Sequence, residues 1–425
     1  MKRLLSGILA LALCLGFSAC AEEKPAAQQS EPAVTDSAQL TEKLVPEPME
    51  MPSYEFDHTP TTDELRQMAV KAMRDSLTVQ FAVDKFYRYT KREMVGEKFY
   101  TYIPQNVYCG LPYDDAGLSL IHFYEYYDPT IGLFSFPDDP QLIDTMVGNS
   151  CAGSVTAAMA TVSPSIRGFV TYEMIPHYGF IAVGPYKIPD GLASLKEIET
   201  QTIIEMNGKD VMYESYAQIL PADGLTSRPD DHAIMAIEPA HVVYRADGSI
   251  DPSKSYIVIQ DQRGGTGKGY YTETVDGVDY HLSGRVYAEY TFKELLDLGY
   301  IPVTAPEFVG LKEYVAPYIT FDRPDCTLED VSLGTVSSPY TIYIGRMILV
   351  DEDGNETLVD KVITRPREYK TDGEFAKFEL SLFAISPQTS AFRDMLEAGK
   401  SYTLRYEVVL ANGSTHTVVE IPVTG

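Results

Sequence analysis

Tryptophan is absent from this 425-residue chain, and cysteine and histidine are scarce, at five and seven residues. So few cysteines do not make the disulfide framework of a small secreted scaffold, and so few histidines leave a short field for a base or a metal ligand. Basic side chains are also in short supply. Thirty-four against 61 acidic ones give a formal charge of −27, which repels polyanions and argues against a nucleic-acid partner. Long apolar runs are missing apart from Leu4 to Phe17, which is too short for a comfortable membrane span. What is present is ordinary globular material, 44% hydrophobic and rich in tyrosine, long enough for two or three domains.

The N-terminus, "MKRLLSGILALALCLGFSAC", sets Lys2 and Arg3 before the apolar run and small residues after it, the layout of an export signal. "FSAC" resembles a bacterial lipobox, which implies removal of the signal peptide (1–20, numbered to the modified residue) and lipidation of Cys20; "ACA", Ala19 to Ala21, also fits ordinary signal cleavage. Residues 21–60 are rich in Pro, Glu, Gln and Ala and read as a disordered tether. The expected location is the extracytoplasmic face of a bacterial cell membrane, touched through the lipid anchor only. Cys109, Cys151 and Cys326 then remain, and their odd number leaves at least one free thiol; a Cys109–Cys151 or Cys109–Cys326 bridge is the alternative.

From Thr61 the pattern becomes that of a folded domain. Thr61 and Glu64 have capping-box spacing, and Leu65, Met68, Ala69, Ala72, Met73, Ser76 and Leu77 follow on one helical face. Aromatic, β-prone segments run from Phe81 to Tyr113, and a helix is expected from about Cys151 to Val162, stopped by Ser163-Pro164. Strand-like segments alternate with turns beyond it, and a short helix at Phe292 to Tyr300 closes an α+β domain at 61–309. Residues 310–425 are alternating runs joined by turns such as Asp353-Gly354 and Asn412-Gly413, the pattern of an immunoglobulin-like β-sandwich. "DEDGNE" lacks EF-hand spacing and "GGTGKGYY" lacks the Lys-Ser/Thr of a phosphate loop, so neither a calcium nor a nucleotide site is expected.

The chemistry centres on "GNSCAGSVTAAMA", Gly148 to Ala160, which puts Cys151 at the start of a helix between small residues. Unpaired amides at a helix N-terminus stabilise a thiolate, and the Cys151 N–H would face an oxyanion. Ala152, Gly153 and Ser154 would leave room for a substrate, although such small residues equally mark a tight packing contact. Among the histidines, His232 alone follows a turn-rich loop, "PADGLTSRPD", and opens an apolar strand. If "DHAIMAIE" and "SYIVIQDQ" form a hairpin, pairing Glu238 with Tyr256 brings His232 opposite Gln262; a one-residue slip substitutes Asp261. Alternation sets Gln260 and Gln262 on one face and Asp261 on the other, which favours Gln262 as the group that orients the ring. Cys109, Cys151 and His232 lack the short paired spacings of a structural zinc site, so no metal or other cofactor is expected.

Cysteine, then histidine at a strand start, then a polar residue on the next strand resembles the papain-like fold, and within it the NlpC-type cell-wall peptidases and amidases. "YCGLPY", Tyr108 to Tyr113, is similar to that family's Y-x-G-x-P-Y motif, "NSCAG" stands where the family has D-C-S-G, and "DHAIMAI" where it has G-H-V-G-I. The likeness covers roughly Tyr102 to Gln262; Asn149, Asp231, a long Tyr113-to-Cys151 interval and the missing Trp depart from it. It implies a cysteine hydrolase cutting amide bonds in peptidoglycan stem peptides or other peptides. Cys151 would be the nucleophile, His232 the base, Gln262 or Asp261 the orienting group, and Tyr108 or Tyr113 an oxyanion donor. The alternative from another class is a cell-surface binding or adhesion lipoprotein whose site is inactive.

Overall fold

Thr61 accepts the backbone N–H of Glu64, and the Glu64 carboxylate takes the Thr61 N–H at 2.8 Å, closing the capping box that starts helix α1 (Thr62–Thr78). Leu65, Ala69, Ala72, Met73 and Leu77 are buried along one face. Arg66 is buried too, and its guanidinium reaches the carbonyls of Pro221 and Phe308 and the carboxylate of Asp223 at 2.7 Å. This pair ties α1 to the sheet behind it. Breaking it would strand a buried charge, which typically costs about 3–5 kcal/mol.

The computed structural model describes residues 49–93, 96–104, 106–113, 117–136, 148–167, 171–177, 179–192, 194–263, 271–275, 278–364, 370–372, 374–385 and 392–425. Cys20, the signal peptide and the tether up to residue 48 lie outside them. The part of the expected tether that is described, 49–60, is not loose chain. Tyr54 is 3% exposed, donates its N–H to the Asn412 carbonyl and its hydroxyl to Asp75, so an aromatic anchor overrides the polar, Pro-rich composition around it.

The molecule is a mixed α+β structure. A six-stranded antiparallel sheet carries β1 (Gly224–Ser227), β2 (His232–Ala236), β3 (Tyr256–Gln262), β4 (Gly284–Thr291) and β5 (Tyr300–Thr304), in the order β4-β3-β2-β1-β5, with Ile181–Ala182 at the far edge. α1 and helix α2 (Cys151–Ala160) cover one face, where Ala233 and Met235 enter the core; Ile234, Ala236, Ile257 and Ile259 face a second core on the other side. Inward-pointing residues on both faces explain why the strands read as continuous apolar runs.

A second six-stranded sheet is built around Gln80–Val83 and Val107–Cys109 and filled by Phe81, Tyr102, Tyr108, Phe123 and Phe134. "YCGLPY" leaves this sheet at Gly110, whose φ of +86° suits only glycine and whose backbone abuts Ser283 and Leu77. The Leu111 N–H then bonds to the Ser76 carbonyl of α1, which aims Pro112 and Tyr113 at the start of α2.

The C-terminal residues form two four-stranded antiparallel sheets around a shared core of Val336, Met347, Phe378, Phe383, Leu404 and Val408. The expected turns are present, with Gly354 and Gly413 at φ +82° and +86°. Tyr343, Ile344, Val409 and Ala411 also join the core around α1 and α2, and Arg346 pairs with Glu125, so the two regions share a continuous apolar contact.

Candidate active site

The backbone turns into α2 at Ser150, whose hydroxyl accepts the Gly153 N–H at 3.4 Å, while Asn149 Oδ1 accepts the Ser150 N–H at 3.0 Å. Gly153 leaves room for this arrangement, because a Cβ there would overlap Asn149 Oδ1 and displace the Asn149 side chain. Of the two readings of the small residues around Cys151, these contacts match tight packing. Ala152 is fully buried against the core, and Ser154 donates to Gln262 Oε1. Ser150→Ala is expected to cost about 1 kcal/mol, read as a lower urea midpoint at unchanged slope.

His232 is the first residue of β2 and follows Asp231, held at φ +45° by a turn from Arg228. His232 is buried between the two groups that define the site: its imidazole interacts electrostatically with the Cys151 thiol, and its Nε2 meets Asp261 Oδ2 at 2.7 Å. With Nε2 taken by the carboxylate, Nδ1 is the nitrogen left to exchange a proton with the thiol. The Tyr113 hydroxyl and the Ala233 backbone N–H also act on the Cys151 thiol, both favouring its charged form.

The orienting group is therefore Asp261 and not the favoured Gln262. Ala236 pairs with Ile259 and Met235 with Gln260, one residue away from the expected register, and Tyr256 bridges His241 where Glu238 was expected. The shift sets His232 on the face of Ile259, Asp261 and Arg263 and turns Gln260 and Gln262 toward the helices. Gln262 instead donates to the Leu111 and Pro112 carbonyls at 2.8 and 3.3 Å, holding the Tyr113 turn against α2. Tyr108 is the second correction. Its hydroxyl accepts the Ile103 N–H at 2.8 Å inside the aromatic core, and of the two tyrosines it is Tyr113 that acts on the Cys151 thiol.

The charges follow from these contacts. Burial pushes the Cys151 thiol up, but the hydrogen bond and charge of His232, the Tyr113 hydroxyl and the Ala233 N–H outweigh it and hold the thiol below its usual pKa. Burial likewise disfavours the His232 imidazolium, yet Asp261 and the Cys151 sulfur raise its pKa to about 9. Burial opposes the Asp261 carboxylate, and bonds from His232 and Arg285 nevertheless lower it to about 2. These shifts move the pair toward thiolate and imidazolium, beside a carboxylate that stays ionised.

No family model, curated protein or solved structure matches the chain. The site stands on its own geometry.

Two residues of that geometry escaped the sequence. Arg263 and Arg285 both bond to Asp261, at 3.1 and 2.7 Å. Alternation along β3 places Arg263 on the Asp261 face and could have revealed it; Arg285 comes from β4, whose pairing has no local signal. Cys109 and Cys326 are not bridged to Cys151 or to each other.

The opposed shifts carry a stability signature. A raised His232 contributes stability below its unfolded pKa near 6.5 that is lost as pH rises through about 9. A depressed Cys151 contributes stability that grows as pH rises toward the unfolded thiol value of 9.0. The two slopes oppose each other, so wild-type urea midpoints should change less with pH than either group alone would make them. Cys151→Ser removes the thiolate slope together with the sulfur's share of the His232 shift, leaving the raise due to Asp261, so its stability should fall as pH rises from about 6.5 over a shorter range than the full His232 shift spans; parallel curves for the two proteins would contradict the pair.

Proposed function

We propose that the protein is an exported, lipid-anchored cysteine hydrolase of amide bonds, acting on peptidoglycan stem peptides or similar peptides. In this reading residues 61–309 form a papain-like domain and 310–425 an immunoglobulin-like sandwich. The observation that carries it is the buried line from Cys151 through His232 to Asp261, in which each group supplies what the next needs. The wall substrate is inferred from the export signal, the lipobox-like "FSAC" and the likeness of "YCGLPY", "NSCAG" and "DHAIMAI" to cell-wall peptidases.

The Cys151 thiolate attacks the carbonyl carbon, and the C=O electron pair moves onto oxygen. The Cys151 N–H at the start of α2 and the Tyr113 hydroxyl donate to that oxyanion. As the tetrahedral intermediate collapses, His232 gives its proton to the leaving amine, and a thioester remains. Neutral His232 then takes a proton from water, whose oxygen attacks the thioester carbonyl; collapse releases the carboxylic acid and the Cys151 thiolate beside a recharged imidazolium. Asp261 fixes the ring tautomer and stabilises the imidazolium throughout.

One observation favours a second reading, a binding lipoprotein with a silent site: Cys151 is only 3% exposed. Incubating the full chain with purified muropeptides and reading products by mass spectrometry separates the two. Hydrolysis expects fragments with a new free amine; muropeptides unchanged from pH 5 to 9 would overturn the hydrolase.

A further inference from the structure

Asp261 is fully buried, yet its counter-ions lead outward. Arg285 grips it side-on, with Nε to Oδ1 at 2.9 Å and Nη2 to Oδ2 at 2.7 Å. Arg263 Nε donates to the same Oδ2 at 3.1 Å and lies 3.4 Å from His232 Nε2. Both guanidinium groups also bond the Tyr290 hydroxyl, at 3.1 and 3.2 Å, and each arginine is about a third exposed, at 33% and 31%. One carboxylate oxygen thus accepts from the catalytic imidazole and from two cations in a chain that carries a formal charge of −27.

The backbone is shaped for this contact. Tyr256 pairs with Thr291 and Ile259 with Ala288, and a regular continuation would set Val286 opposite Asp261. An irregularity between Ile259 and Asp261 substitutes Arg285. Gly284, next to it, lies so close to the Asp261 carbonyl that a Cβ would overlap the oxygen. A bulge plus a glycine bring a fork-shaped cation to a position that an unbroken ladder gives to valine.

From this geometry we infer that Arg263 and Arg285 are positioning residues that aim Asp261 and draw off part of its charge, so that His232 holds its proton loosely enough to pass it to a leaving group. The catalytic consequence rests on the hydrolase reading above; the effect on the thiol–imidazole pair does not. An unshared buried carboxylate would grip the imidazolium and make it a poor acid. Two guanidinium groups oppose that grip, and their positive charge also favours the thiolate. The titratable groups described around His232 enter this balance: Cys151 from α2, Tyr113 before it, Asp261 from β3 and Arg263 just after it, Arg285 and Tyr290 from β4, Tyr300 from β5, Asp231 with its partner Arg228, and Asp230, which accepts the Tyr300 hydroxyl at 2.6 Å and lies 3.7 Å from Arg263.

The test is the pH–rate profile of iodoacetamide alkylation at Cys151 in the full chain, read on the Cys151 peptide by mass spectrometry. Removing a nearby cation disfavours the thiolate and favours the imidazolium. Arg263→Gln and Arg285→Gln should therefore each move both limbs to higher pH by about one unit, with alkylation below the acid limb about tenfold slower. Arg285→Lys keeps the charge but loses the fork, so its limbs should stay near wild type while its kcat falls. Arg263→Gln, which leaves the side-on Arg285 grip intact, carries the test should Arg285→Gln fail to fold. Limbs at wild-type positions in a folded Arg263→Gln would overturn the inference even if muropeptides are cleaved. Shifted limbs without any cleavage would remove the hydrolase and leave the arginine effect standing.

Discussion

Cys151→Ala is expected to abolish muropeptide cleavage, with a loss on the order of 10⁵- to 10⁶-fold in kcat. The change removes the only atom that can form the thioester, and the remaining groups have no second route. His232 and Tyr113 would keep their places, but an imidazole without a thiol has nothing to activate except water, and the two-step path collapses to a single unassisted one. The structural cost is small by comparison. Trimming one buried sulfur from the start of a capped helix should lower stability by about 1 kcal/mol, so a thermal melt close to wild type separates lost chemistry from lost fold. Cleavage that survives in Cys151→Ala would mean the reacting group lies elsewhere.

Asp261→Asn should lower kcat by about 10³-fold while leaving KM within a few fold. The amide fills the same space and can still accept from His232 Nε2, so the loss is one of charge. It also leaves Arg263 and Arg285 facing a neutral group, with one guanidinium nitrogen 3.4 Å from the imidazole. That imidazolium would then be repelled by two cations with no anion between, and the thiolate pair would give way to neutral thiol and neutral imidazole at pH 7. Gln262→Leu makes the useful contrast. It strips the bonds to Ser154, Leu111 and Pro112 but leaves Asp261 and the arginines intact, so its damage should appear as a lower melting temperature and a weakened Tyr113 contribution. A kcat in Asp261→Asn close to wild type would show that the carboxylate does not hold the ring.

What the sequence reveals here is whatever depends on neighbours a few residues apart. The Thr61–Glu64 box, the Asp353-Gly354 turn and the helix at Cys151 are set by local hydrogen bonds and φ preferences, and all stand where expected. Cys151 and His232 could be nominated for the same reason, since a helix start and a strand start are local events. The choice between Gln262 and Asp261 is not local. It turns on a register offset of one residue, set where β2 and β3 diverge toward the His241–Tyr256 bridge, and no pattern within either strand fixes it. Arg285 is harder still, because it reaches Asp261 only through a bulge between strands separated by a hairpin. Tyr54 shows the opposite failure, a single buried aromatic that anchors a segment whose composition reads as linker.

The most direct test of the central claim is the pH dependence of iodoacetamide labelling at Cys151, with Cys109 and Cys326 in the same protein as internal standards. A thiolate held by His232 labels well below pH 7, where the Cys326 thiol, pushed up by burial and nearby acids, stays protonated. We expect Cys151 to react at pH 6 at least tenfold faster than Cys326, with the advantage lost in His232→Gln. A Cys151 that labels only above about pH 8.5, or not at all in the folded protein, would contradict the thiolate–imidazolium pair and with it the nucleophile.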